Sequence, residues 1–172
     1  MAKTVSAKTL RNSFNQWFFW NGCSQQAETM LGMAFGQSMS PVIEELYDSK
    51  EARAAGLKRH ITLFNTESQV GSVCNGIAIG MEEQLASGVG APESIQEAKV
   101  TLIGPTSAIG DSLWVATIIP LLLTICLTLS QSMTNAPWIG PVLYMLVYPL
   151  GTYLLSWKIF RTGYKAGLEG VQ

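Results

Sequence analysis

Between Arg11 and Glu44 the chain carries a single charge, Glu28, set in FNQWFFWNGCSQQAETMLGMAFGQSMSPVI. An acid isolated in a membrane-inserted apolar segment is a functional-site candidate by default. The plainer reading is a carboxylate at a cytoplasmic interface with no specific task. Gln25 and Gln26 add amides beside it. A carboxylate with neighbouring amides offers donors and acceptors together, which suits a polyhydroxylated ligand such as a sugar.

Other polar groups compete for attention. Asn65 and Thr66 lie just before a short apolar run. They suit either a helix cap or a polar site at the tip of a re-entrant segment, and both readings stay open. The segment GPTSAIGD, residues 104–111, is glycine-rich but lacks the lysine of a phosphate-binding loop. Its Asp111 reads as an N-cap or as a polar-cavity residue at the entrance to an apolar stretch. His60, the only histidine, follows Lys58 and Arg59 and reads as a solvated helix-end residue rather than a phosphocarrier. Glu82 and Glu83 are adjacent, so on a helix they do not face one another and form no acid/base pair. Cys23, Cys74 and Cys126 are widely spaced and read as reduced apolar thiols with no metal role. No catalytic residue, metal or cofactor is expected.

These residues must be held by elements that the charge distribution reveals. Charged residues make up 13% of the chain, against about 25% in typical soluble domains. From Ser112 to Trp157 there are 46 residues without Asp, Glu, Lys, Arg or His. A bilayer core takes roughly 20 apolar residues per helix, so this stretch holds two spans, Leu113–Leu129 and Trp138–Trp157. The polar SQSMTNAP joins them as a short loop. Pro120, Pro141 and Pro149 are tolerated because membrane neighbours satisfy freed carbonyls. Trp138, Trp157, Tyr144 and Tyr153 suggest a partial aromatic belt. Lys99 before the hairpin and Lys158, Arg161 and Lys165 after it put both outer ends in the cytoplasm and the loop outside. The net charge of −1 gives no support for nucleic-acid binding.

The first half predicts amphipathic or broken helices around Glu28, then a charged helical stretch over 44–60. Residues 70–81 are apolar but too short to span, so they form a re-entrant hairpin or a buried core helix. Ser94 with Glu97 is a capping-box signature, and the Gly-Pro and Gly-Asp steps of residues 104–111 are expected to break the helix ahead of the first span. The N-terminus lacks the pattern of a cleaved signal. The expected fold is an all-α membrane protein. Residues 1–111 form an N-terminal region with amphipathic and re-entrant helices, 112–157 a two-helix transmembrane hairpin, and 158–172 a cytoplasmic tail.

Three blocks then carry a family resemblance. RHITLFNTESQVGSVCNGIAIGMEEQLA is similar to the R-H-L-x-F-F-N-T…E-E segment of the IID subunits of mannose/fructose/sorbose-type sugar phosphotransferase systems. KVTLIGPTSAIGDSLWVATIIPLL resembles their glycine–proline…glycine–aspartate block, and SQQAETMLGMAFGQSMSPVIEELY resembles, less closely, the block around their conserved-position glutamate. The blocks occur in family order. Where family members have an arginine after the glutamate this chain has Thr29, and after FNT it has Glu67-Ser68.

The resemblance implies a membrane translocator that forms a sugar channel with an IIC subunit in a hetero-oligomer of repeated IIC–IID units. Uptake of a hexose or hexose derivative is then coupled to phosphorylation by IIB, itself supplied by IIA, at the bacterial inner membrane. By matching position, Glu28, Asn65 and Thr66, with Gln25 and Asp111, are the expected substrate-pathway residues. The same architecture favours the hairpin for residues 70–81. Family chains are longer, with a further C-terminal membrane segment, so this chain reads as a short form. The alternative is a truncated, non-transporting membrane interaction protein.

Overall fold

The computed structural model describes residues 3–169, and its regular elements are helices. They are α1 (Ala7–Trp20), α2 (Gly32–Leu46), α3 (Lys50–His60), α4 (Ser72–Ala86), α5 (Pro92–Gly110), a π-helical segment (Asp111–Ile118), α6 (Ile119–Ser132) and α7 (Ile139–Glu169). Ser6 caps α1 and Ser49 caps α3, each side-chain oxygen accepting a backbone N–H three residues on. Helix α5 begins differently from the capping-box expectation. Pro92 occupies its first turn after Ala91, so Ser94 and Glu97 are already inside the helix. Proline is favoured there because its fixed φ fits and its missing N–H would have had no partner.

The expected break before the first span does not occur. Residues Pro92–Ser132 run as one helical rod. The wider π turns immediately precede Pro120, whose ring would crowd a regular α-turn. Hydroxyls satisfy carbonyls along the rod. Thr106 donates to Leu102 at 2.6 Å, Ser112 to Ala108 at 2.7 Å and Thr117 to Ser112 at 2.8 Å. This is the local compensation that lets proline and glycine sit within membrane helices.

The hairpin itself is present. Helices α6 and α7 pack side by side, and Gly140 lets α7 approach the Cys126 carbonyl of α6. Only 11% and 17% of the most apolar windows of the two long helices are buried. Leu121, Ile125, Met145, Leu146 and Leu150 all face outward. A soluble core helix would hide such residues, so these surfaces match lipid. Tyr153 and Trp157 do not form an outward belt. Their rings lie 5.3 and 5.1 Å from that of Phe14 on α1. Helix α7 continues through residues 158–169 as structured helix; residues 170–172 lie outside the described part.

Residues 70 and 71 end a turn, and 72–81 lie within one helix, α4, rather than a hairpin. Its sequence places Gly76 and Gly80 on one face, and α7 answers with Gly163 and Gly167. A Cβ on any of these four would lie within 3.0 Å of atoms in the facing helix's backbone. Paired glycines four residues apart allow two backbones to approach closely. Phe14, Trp17, Phe35, Met39, Phe64, Ile79 and Phe160 fill the remaining core from five parts of the chain.

Helix α4 also carries buried polar groups. Glu82, fully buried, accepts hydrogen bonds from Arg59 at 2.6 Å, Tyr47 at 2.7 Å and His60 at 2.8 Å. His60 is therefore at the end of α3, as expected, but buried rather than solvated, and it stacks on Phe35. Lys99 of α5 turns inward too, donating to the Arg59 and His60 carbonyls that end α3. It is thus a helix cap rather than a free orienting charge. Burial pushes the His60 imidazole down to about 4, despite the pull of Glu82. Burial would raise the Glu82 carboxyl, but the His60 and Arg59 hydrogen bonds outweigh it and bring the group down to about 2. The arrangement corresponds to a neutral His60 donating through Nε2, with Nδ1 left buried and without a partner.

Two predictions follow from this packing. Gly76→Ile or Gly163→Ile lowers stability by about 3 kcal/mol through overpacking, read as a reduced Tm in detergent, whereas Gly151→Ala, with open space around it, leaves the Tm unchanged. Because the folded state holds His60 neutral, its contribution is complete above pH 6.5 and is lost as the pH falls toward about 4. Stability, read as Tm, therefore falls over that interval by on the order of 3 kcal/mol, with the Glu82 contribution lost at still lower pH. His60→Gln flattens the upper part of the profile, and an unchanged slope would show that another group is titrating.

Candidate functional site

The site is built from two loops and one helix face. After α1, Asn21 closes the helix end by donating from its amide to the Trp17 carbonyl at 2.7 Å. The chain then doubles back. Gln26 and Met30 exchange two backbone hydrogen bonds, and Met30 takes a left-handed φ of 51° to close the turn. Few non-glycine residues adopt that conformation without support from their surroundings. Here the support is cross-chain pairing. The Leu31 N–H donates to the Phe64 carbonyl at 2.8 Å and the Phe64 N–H to the Thr29 carbonyl at 3.2 Å. Gly32 and Gly36 permit this contact, since Cβ atoms there would strike Thr62 and Ile61. Glu28 sits at the exposed tip of this turn, with Gln25 exposed on its approach. Gln26 is tied to Thr29 by a 2.8 Å hydrogen bond, leaving the Glu28 carboxylate unoccupied by any described partner.

The second loop, residues 64–71, starts at the same strand-like contact. Asn65 is exposed and its carbonyl accepts from Ser107 at 3.2 Å. Thr66 is buried and its hydroxyl donates to Thr106 at 2.9 Å. Neither Asn65 nor Thr66 caps α4, whose N-cap is Gly71 without a side-chain bond; the turn ahead of it is instead held by Glu67. Its carboxylate accepts from the Gln69 N–H at 3.0 Å and the Val70 N–H at 2.8 Å. Burial raises the Glu67 carboxyl above its ordinary value, those backbone bonds oppose the shift, and the nearby Asp111 charge adds to it. Ser68 closes the loop on α1, donating to the Asn21 side chain at 2.8 Å and accepting at its carbonyl from Trp17 at 2.9 Å.

The helix face explains the glycine-rich block. Thr106 and Gly110 lie one turn apart on α5 and both face the loop. A side chain at Gly110 would collide with Glu67. Asp111 is in mid-helix, not at an N-cap, and is exposed where the rod enters its apolar run. Its N-cap reading fails because the helix does not start there. Phe64 joins the turn that carries Gln25 and Glu28 to the loop of Asn65 and Thr66, and Ser107, Thr106 and Glu67 join that loop to α5 just ahead of Asp111, which makes one backbone junction. Glu28, Gln25, Asn65 and Asp111 are exposed on it, and Thr66 is inside. Sequence reasoning missed Glu67 as a loop organiser. The available signal was an acid two and three residues ahead of free backbone N–H groups. It also missed Glu82 as the hub of the interior, because its partners lie 22 to 35 residues away.

Comparison with known proteins agrees with this geometry. Residues 4–172 match the family described as PTS system mannose/fructose/sorbose family IID component. The chain is 31% identical over 146 residues to the sorbose-specific EIID component of Lacticaseibacillus casei, covering 84% of this chain and 51% of that protein. It is 28% identical over 172 residues to the mannose-specific EIID component of Escherichia coli K12, covering 99% of this chain and 59% of that protein. A cryo-EM structure of the mannose transporter ManYZ in complex with microcin E492 superimposes with a TM-score of 0.88 at 28% identity, over 97% of this chain and 60% of that one. The chain therefore spans between about half and three-fifths of the length of these relatives. With an all-helical fold, a long apolar hairpin and a family match over nearly its whole length, the chain belongs to the IID components of the mannose/fructose/sorbose phosphotransferase family, and it is a membrane protein.

Proposed function

We propose that this chain is a translocator subunit that forms, with an IIC subunit, the sugar-binding path of a mannose-type phosphotransferase system. The sugar, a hexose or hexose derivative, is phosphorylated by IIB, which IIA supplies with phosphate. The assembly is a hetero-oligomer of repeated IIC–IID units in the bacterial inner membrane, with both outer ends of the hairpin in the cytoplasm and the loop outside. The observation that supports this reading is the pairing of the Glu28 turn with the Asn65–Thr66 loop through Phe64, and of that loop with α5 just ahead of Asp111 and the apolar rod. Glu28 and Gln25 on the exposed turn, with Asn65 and Asp111, offer the hydrogen-bonding groups for sugar hydroxyls. Thr66 holds the 64–71 loop against α5 and acts as a positioning residue. In this reading IID carries no phosphorylated residue; the buried, neutral His60 supports that.

Glu28 gives a clean test because its side chain is exposed and bears no packing load. In cells supplying the partner subunits, Glu28→Ala lowers sugar uptake at least roughly tenfold, the scale of one lost charged hydrogen bond, without changing membrane levels or Tm. Full uptake in that variant removes Glu28 from the sugar path. Growth of an IID-deleted strain on the family's sugars when this chain is expressed separates a translocator from a non-transporting interaction protein.

A further inference from the structure

We infer that the cleft between α1 and the C-terminal part of α7 binds the phosphate headgroup of an anionic phospholipid. The cleft has a volume of about 480 Å³, with Leu10 and Phe160 in its apolar floor and Arg11, Arg161 and Lys165 on its rim. Trp157 belongs both to it and to an adjoining groove that adds Lys158. Lys158, Arg161 and Lys165 are spaced three and four residues apart, so they share one helix face. Arg11 reaches the same place from α1, its guanidinium 5.5 Å from the Trp157 ring centre. Among the described residues none of these four cations is paired with a carboxylate. All four are exposed. The nearest acid along this face, Glu169, makes no ion pair with Lys165.

The height of the cluster decides what the charge is for. This inference rests on the reading of α7 as a membrane span. The charge-free run ends at Trp157. Below it Leu150, Leu154 and Leu155 are exposed to the apolar phase. Arg161 lies one helical turn above Trp157, about 6 Å, within a headgroup layer roughly 5–8 Å thick. Lys165 lies about 12 Å up, within reach of that layer by bending its long stem downward. Cationic rim, amphipathic tryptophan and apolar floor therefore stack in the order of a phospholipid: phosphate, glycerol, acyl chains. A free anion would make no use of the apolar floor, and an acidic peptide would not need the cluster to coincide with the hydrocarbon boundary. Basic pockets at the cytoplasmic ends of membrane helices select anionic headgroups on these grounds.

The test is native mass spectrometry of the detergent-purified chain titrated with phosphatidylglycerol or phosphatidylcholine, for the wild type, the double variant Arg161→Gln/Lys165→Gln, and the control Arg53→Gln. The wild type and control retain phosphatidylglycerol in preference to phosphatidylcholine. The double variant, of unchanged Tm, loses that preference by roughly tenfold or more. Equal retention of the two lipids by the wild type, or undiminished selectivity in the double variant, overturns the inference. So does displacement of bound phosphatidylglycerol by inorganic phosphate or by polyglutamate at matching concentration, which assigns the site to a free anion or an acidic protein segment. Carbonate extraction is run in parallel. Release of the chain from membranes would remove the span itself, whereas retention without lipid selectivity removes this inference alone.

Discussion

Everything in this molecule depends on the contact between α4 and α7, where two backbones touch because four glycines have no side chains. Gly76 and Gly80 lie against Phe160, Tyr164 and Gly167, and Gly163 and Gly167 lie against Val73 and Ile77. Helix α7 is the second arm of the apolar hairpin, so this seam joins the bundle built from the first half of the chain to the lipid-facing rods. Side chains at the seam would separate the helices and open the core around Phe14, Ile79 and Phe160. Close approach also lets side chains of one helix bond to a carbonyl or a carboxylate of the other. Ser72 donates to the Ser156 carbonyl at 3.1 Å, and Tyr164 donates to Glu83 at 2.7 Å.

Helix α4 is apolar enough to be central yet carries Ser72, Asn75, Glu82 and Glu83 into the interior. Such groups are tolerable because each finds partners. Asn75 donates to Ser38 at 2.6 Å, and Glu82 gathers Tyr47, Arg59 and His60 from α3 and the turn before it. An ion pair of this kind adds little net stability against a well-packed apolar substitute, but losing one partner strands a buried charge. Its contribution is positional. It fixes the end of α3, and Lys99 bonds the same helix end from α5. The segment that leaves α3 is then directed across α2 to Phe64, where the candidate junction begins.

The junction itself is an outcome of backbone pairing between irregular segments. A left-handed Met30 and one pair of hydrogen bonds to Phe64 hold the Glu28 turn beside the Asn65 loop. Glu67 closes the turn that leads into α4 by accepting from Gln69 and Val70, and Gly110 gives it room on α5. The result is a rigid support with an exposed, hydrogen-bonding rim next to the apolar rod. In the proposed function such support matters, since groups already oriented lose less entropy on binding a hydroxylated solute.

The sequence alone determined the class of the molecule and named the candidates for its site. A run of 46 uncharged residues has no stable home in water, so the hairpin was readable without coordinates, and an isolated Glu28 with Asn65, Thr66 and Asp111 stood out by type and context. Local rules failed wherever a distant partner set the outcome. The Gly-Pro and Gly-Asp steps looked like breaks, yet hydroxyls and a π segment carry the helix through them. Residues 70–81 looked short enough to turn back, yet most of them lie in α4, which Gly163 and Gly167 from far along the chain let pack closely and bury. His60 looked solvated, and only the arrival of Glu82 and Phe35 removed it from water. Composition fixes which medium a segment prefers, because solvation free energy sums over local residues. Which backbone meets which, and so where each polar group points, is set by contacts between segments far apart in the chain, and those only the tertiary structure decided.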